Sequence, residues 1–143
     1  GMANVHKDFH GALSYGIRFL AERYGEDKMR AFLKGLGATV YKPLAEAMRQ
    51  RGLPAMQDHL EEVFRAEGGD VESEMDGDTL VFHVHRCPAI QHMKDNDYDI
   101  APHFCEHTRI VNEAICGEAG YMCSVEYDQE AGQCVQRFWR AES

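Results

Sequence analysis

The chain of 143 residues carries 15 Lys and Arg against 24 Asp and Glu, a formal net charge of −9, with 44% hydrophobic and 27% charged residues. That length suits one domain with its own core, needing neither disulfides nor metal to hold it. The acidic balance, without a basic cluster, argues against nucleic acid and anionic membrane surfaces as partners. No apolar run approaches the ~18 residues of a membrane span. No signal peptide is recognisable, and Gly1 before Met2 reads as a cloning remnant. Five cysteines with no CxxC form no paired framework, so the expectation is a cytoplasmic protein with reduced thiols.

Hydrophobic periodicity divides the chain in two. The first part reads as about four helices. Asp8 caps the first, which runs to about Tyr24 with Phe9, Leu13, Ile17 and Leu20 on one stripe. The second runs from about Glu26 to Lys34 and ends in the punctuation of Gly35 and Gly37. The third, from about Thr39 to Gln50, admits Pro43 in its first turn. Pro54 starts the fourth, which reaches about Ala66 before Gly68 and Gly69.

Beyond Gly69 the period becomes two. Val71 to Met75 and Thr79 to Arg86 form a hairpin about Asp76-Gly77. Pro88 opens a short helix to about Lys94, and after a polar loop Pro102 opens a helix that ends at Gly117. Tyr121 to Tyr127 and Cys134 to Arg140 make a second hairpin. The expectation is a single α+β domain over residues 1–143. Its helical half, residues 1–69, packs on a ββαββ half, residues 70–143, with an antiparallel four-stranded sheet.

The chemistry concentrates between residues 78 and 117, which hold three of the cysteines and five of the eight histidines. Alternation in the second strand puts Leu80, Phe82 and Val84 on a core face and Val81, His83, His85 and Cys87 on the other. His83, His85 and Cys87, with His103 from the following helix, form a candidate site for zinc or another divalent transition metal. The competing reading is a half-exposed face with partly solvated histidines. Cys105 falls near a helix amino terminus, where the macrodipole favours a thiolate, and Cys87 is held extended before Pro88 at a strand end. Cys116, at a helix end, and Cys123, on a strand face with Tyr121, read as structural, and Cys134 carries no signal. His6 and His10 have the spacing of a metal clasp but read better as a solvated pair. The acidic run of Asp95, Asp97 and Asp99 lacks the glycine and glutamate of a calcium loop.

Arg86-Cys87-Pro88, then Phe104-Cys105-Glu106, then Gly132-Gln133-Cys134-Val135-Gln136-Arg137-Phe138, resembles in order the L-2-amino-thiazoline-4-carboxylic acid hydrolase-like family. The resemblance covers roughly Thr79 to Trp139. It implies hydrolysis of a cyclic amidine, in which water or a thiolate adds to the carbon between ring sulfur and ring nitrogen. Cys87, Cys105 and Glu106 are the positions that match.

The resulting expectation is a small-molecule hydrolase that needs no cofactor. Cys105 is its nucleophile or a thiolate stabiliser, His107 the base, Glu106 a proton carrier, and Cys87 with His85 the opposite wall. Arg109 or Arg86 would hold a substrate carboxylate. The alternative is a metal- or small-ligand-binding sensor without catalysis. Homodimerisation is open to either.

Overall fold

The computed structural model describes the backbone of residues 2–142 and the side chains of residues 8–142. Gly1 and the side chain of His6 lie outside these described residues. Four helices come first: α1 (Met2–Tyr24), α2 (Glu26–Val40), α3 (Lys42–Arg51) and α4 (Leu53–Ala66). Then follow β1 (Asp70–Asp76), β2 (Thr79–Arg86), α5 (Pro88–Asp95), α6 (Glu106–Ala119), β3 (Tyr121–Asp128) and β4 (Gln133–Arg140). The strands form one antiparallel sheet in the order β1-β2-β4-β3. The α+β architecture read from periodicity is the one the chain adopts. Among the described residues no helix is long and apolar enough to cross a membrane.

Strand alternation makes the sheet two-faced. Leu80, Phe82, Val84, Gln136 and Phe138 share the inner face, and none is more than 2% exposed. α3, α4 and α6 cover this face with Ala45, Met48, Met56, Leu60, Val111 and Ile115. A second cluster joins Ile17 of α1, Met29 and Leu33 of α2, Ile90 and Met93 of α5, and Phe104 and Ile110. Burying each large aliphatic or aromatic side chain contributes about 1.5–3 kcal/mol. Cys87 packs against both clusters.

Several helix boundaries differ from the periodic reading. Asp8 does not cap α1, which starts at Met2. Its carboxylate instead accepts hydrogen bonds from His92 Nε2 at 2.8 Å and from the Tyr98 hydroxyl at 3.2 Å. α2 runs through Gly35 and Gly37 to Val40. Gly37 is buried against α6, where an added Cβ would lie 2.9 Å from Ala114 Cβ and 3.0 Å from the Val111 carbonyl oxygen. The glycine lets two helices approach closely; it does not end one.

α6 begins at Glu106 and passes Gly117, stopping at Gly120 with φ at 84° and its N–H on the Cys116 carbonyl. The stretch before it winds through tight three-residue bonds, such as Phe104 N–H to the Ala101 carbonyl at 3.0 Å. Ser14 Oγ accepts the Ala101 N–H at 2.8 Å. Gln129, in the β3–β4 turn, accepts the Cys105 N–H through Oε1 and donates from Nε2 to the Ala101 carbonyl, both at 2.9 Å. The segment that delivers Cys105 is thus tied to α1 and to the sheet.

The two α2 glycines should respond oppositely to substitution. Gly37→Leu forces α2 and α6 apart and should cost about 1–3 kcal/mol. Gly35→Ala, with open space around the new methyl, should stabilise the chain by about 0.5–1 kcal/mol. Urea denaturation of both variants tests the pair, and similar losses at both positions would remove the close-approach explanation.

Candidate functional site

The two core clusters do not fuse completely. Between α1, α2, α4, α6 and the inner sheet face remains a cavity of about 240 Å³. Its walls are mainly apolar, with Leu13 and Leu36 from one cluster and Met56, Leu60 and Ile115 from the other. The chemistry-bearing groups on it are Cys87, Cys105, Cys134 and His107, with the His10–Glu67 pair, whose Nε2 to Oε1 distance is 2.8 Å.

The three thiols come from three elements. Cys87 follows β2 and serves as N-cap of α5, Cys105 precedes α6, and Cys134 sits in the first residues of β4. The β2–β4 register pairs Cys134 with Val84, and the Cys87 N–H continues the pairing to the Gly132 carbonyl at 2.8 Å. They are close enough to sense one another's charge. Burial pushes the Cys105 thiol up to about 12, and the neighbouring Cys87 and Cys134 add to the shift. Burial likewise raises Cys134 to about 11. Cys87 is also raised by burial, but the N–H groups of Ala89 and Ile90 at the start of α5 pull the other way. Cys134 accepts a single hydrogen bond, from Gln136 Nε2 at 3.5 Å, and Cys105 has no donor that lowers its pKa. Of the three, Cys87 alone has two backbone donors at a helix start that favour its thiolate.

This changes the expectation for Cys105. It lies near a helix amino terminus as read, but just before α6 and not within a helix opened by Pro102; its backbone is helical, at φ −70° and ψ −16°, and its side chain does not cap the helix. The helix terminus therefore does not offset the cost of burial, and the resting group is a neutral thiol.

His107, on the first turn of α6, is also neutral. It is partly buried, and that burial pulls its pKa down. Nδ1 hydrogen-bonds the Phe104 carbonyl, and a carbonyl only accepts, so Nδ1 carries the proton. Nε2 is left as an acceptor, and the ring lines the cavity. Beneath it Asn112 donates to Gln136 Oε1 at 2.9 Å, both residues being buried. This amide pair fixes α6 to β4.

The other candidate residues lie elsewhere. Glu106 does not line the cavity. It binds Arg109 and accepts from the Tyr127 hydroxyl at 2.8 Å, and the Arg109 bond holds its carboxyl below the usual range. Arg109 is clasped by Glu106 and by Glu113, the latter at 2.9 Å, so neither it nor Glu106 faces the thiols. Arg86 donates to the Gly68 carbonyl at 3.3 Å and borders a separate polar groove.

His83 and His85 stack at 5.9 Å on the outer sheet face, beside Glu74 and Glu72. His103 pairs with Glu26 at 2.8 Å. The proposed metal set of His83, His85, Cys87 and His103 is therefore dispersed, because Cys87 turns inward into α5 and leaves the histidine row. Among the described residues no group of three or more His, Cys, Asp or Glu side chains could hold a metal ion. The residues present do not fit a metal centre.

The sequence reading gave Cys134 no signal, took His10 as half of a solvated pair where it is instead bonded to Glu67, and assigned no role to His59 or Gln136; all four line the cavity. The i, i+2 spacing of Cys134, Gln136 and Phe138 was a usable signal, since it puts all three on the inner face. Cys116, read as structural, is buried, and it donates its S–H to Cys123, raising its own pKa and lowering that of Cys123. No protein-family model matches the chain, and no curated protein matches it.

Two measurements probe this arrangement. Gln136→Leu leaves Asn112 buried without its acceptor and should cost about 1–3 kcal/mol, whereas adding Asn112→Leu should recover much of that loss. A double variant no more stable than the single would show that the amide pair is not a unit. Second, His107 resists protonation when folded and accepts it readily when unfolded. Stability should therefore fall as pH drops below the ordinary histidine value of 6.5 toward the depressed folded pKa, because the unfolded chain then binds more protons. His107→Gln should flatten that slope in denaturation curves, and an unchanged slope would place its origin elsewhere.

Proposed function

We propose that the chain is a small-molecule hydrolase of the L-2-amino-thiazoline-4-carboxylic acid hydrolase-like type, opening a C–N or C–S bond of a cyclic amidine inside this cavity. The observation that supports the reading best is that Cys87, Cys105, Cys134 and His107 all line the same cavity. Nucleophilic catalysis needs a thiol and a base that is unprotonated at neutral pH. Cys87 is the nucleophile in this reading, because the α5 N–H groups stabilise its thiolate, and Cys105 and Cys134 complete the wall.

Cys87 Sγ adds to the amidine carbon as its proton passes to Nε2 of His107. His107 returns that proton to the departing ring atom. Water then adds to the enzyme-bound carbon, with His107 again taking and returning the proton, and the Cys87 thiol leaves. Glu106 and Arg109 act from outside by holding Tyr127, whose ring lines the cavity.

A second reading, a small-ligand-binding domain without catalysis, is favoured by one observation: all three thiols are held protonated. The two separate experimentally. With a panel of cyclic amidines assayed for ring opening, Cys87→Ser should lower kcat on the order of 10³-fold or more, and Cys105→Ser by less than about tenfold. Circular dichroism should show both variants folded. A larger loss at Cys105 would move the nucleophile there, and binding without ring opening in the unaltered protein would favour the non-catalytic domain.

A further inference from the structure

Cys116 and Cys123 lie outside the cavity, and the mechanism uses neither. Cys116 sits near the end of α6 and is 1% exposed, while Cys123 comes early in β3 and is half-buried. The β3–β4 register sets Cys123 directly opposite Phe138, so its side chain shares the inner face with that buried ring. α6 covers this face through Val111, Ile115 and Cys116. Between the two cysteines the chain reverses at Gly120, at φ 84°, whose N–H bonds the Cys116 carbonyl. The sulfurs therefore meet, and the Cys116 S–H donates to Cys123. β3 is an edge strand, which leaves Cys123 a path to solvent that Cys116 lacks.

We propose that Cys123 and Cys116 are a redox pair: hydrogen peroxide oxidises Cys123, and Cys116 resolves it to an intramolecular disulfide. The Cys123 thiolate attacks one peroxide oxygen, the O–O bond breaks, and sulfenic acid forms at Cys123. The departing hydroxide takes up the proton that the Cys123 thiol released. The Cys116 sulfur then attacks the Cys123 sulfur. The S–S bond forms as the S–O bond breaks, and the Cys116 proton leaves with that hydroxide as water. Two thiols and one peroxide give one disulfide and two waters.

The other thiols are poorer first targets. Burial holds Cys87, Cys105 and Cys134 protonated, and the thiolate is the form that attacks. Cys123 is the one cysteine pulled below its ordinary value. The Cys116 S–H does most of this and Arg109 adds to it, against burial and Glu113. A partly exposed thiolate beside a resolving cysteine is the arrangement that redox-sensing sites share.

The test treats the full chain with hydrogen peroxide, blocks remaining thiols with N-ethylmaleimide in urea, and digests with a protease that cleaves after glutamate. Glu118 lies between the two cysteines, and Glu126 and Glu130 separate both from Cys134, so mass spectrometry reads each link directly. The expected product is a disulfide joining the Cys116 and Cys123 peptides, lost on adding dithiothreitol. Cys123→Ser should slow peroxide-dependent thiol loss on the order of tenfold or more and leave Cys116 labelled. Cys116→Ser keeps a hydroxyl donor to Cys123 and should stop at a sulfenic acid that dimedone traps there. Circular dichroism checks that each variant is folded, and the unaltered chain decides the pairing on its own. Labelled Cys116 and Cys123 after peroxide treatment of that chain overturn the inference, as does a link from Cys123 to Cys134 or to a second chain. A linked pair without dimedone on Cys123 in Cys116→Ser removes Cys123 as the attacking thiol.

Discussion

The antiparallel pairing of β2 with β4, from Leu80 opposite Phe138 to Val84 opposite Cys134, is the constraint on which the rest depends. It joins two local hairpins into one sheet, and it is the long-range pairing that the sequence must find. The register carries a chemical consequence. The end of β2 meets the beginning of β4, so the turn out of β2 at Cys87 lies beside Gly132 and Cys134. A one-residue slip would move Cys134 and Gln136 to the solvent face and Val135 to the core. The inner row of Leu80, Phe82 and Val84 opposite Phe138, Gln136 and Cys134 makes that slip costly, because the buried residues alternate on both strands at once.

The helices answer to that sheet unequally. α3, α4 and α6 lie directly over the inner face, while α1, α2 and α5 form a second body of packing around Phe104 and Met93. α6 belongs to both, contributing Val111 and Ile115 to one and Ile110 to the other. Gly37 allows α2 to press onto α6 and bring the two bodies together. Cores pack densely where side chains interdigitate, and the seam between two separately satisfied clusters is where that fails here. The cavity lies on this seam, and the thiols reach it because each sits at the end of an element, where the chain crosses from one cluster to the other.

Patterns with a single local cause were legible in the sequence. The two hairpins, the inner face of β2 and the Pro-initiated α4 and α5 follow from alternation and backbone chemistry that act within a few residues. The misreadings have a common origin in tertiary contact. Gly35 and Gly37 look like a helix stop, but packing against Ala114 gives Gly37 another use. Asp8 looks like an N-cap, but His92 and Tyr98 claim its carboxylate. His83, His85 and Cys87 alternate as if on one face, yet Pro88 starts α5 at once and carries Cys87 inward. Alternation could place Cys134 on the inner face, but not beside Cys87, because that neighbour comes from the strand paired with it.

The contrast between Cys87 and Cys105 shows why position along a helix is an incomplete guide to thiol chemistry. Both stand immediately before a helix, so the dipole argument applies equally to each. What separates them is backbone geometry at the cap. Cys87 is extended, at φ −73° and ψ 121°, which turns its sulfur toward the first free N–H groups of α5. Cys105 already has helical dihedrals, and its sulfur faces the other thiols while its own N–H is taken by Gln129. Burial acts on both in the same direction, so the local donors decide the difference. The proline after Cys87 enforces the extended conformation, and no proline follows Cys105. A Cys-Pro pair at the start of a helix is therefore more informative than a cysteine at the same place alone, because the proline fixes the geometry that the electrostatic argument assumes.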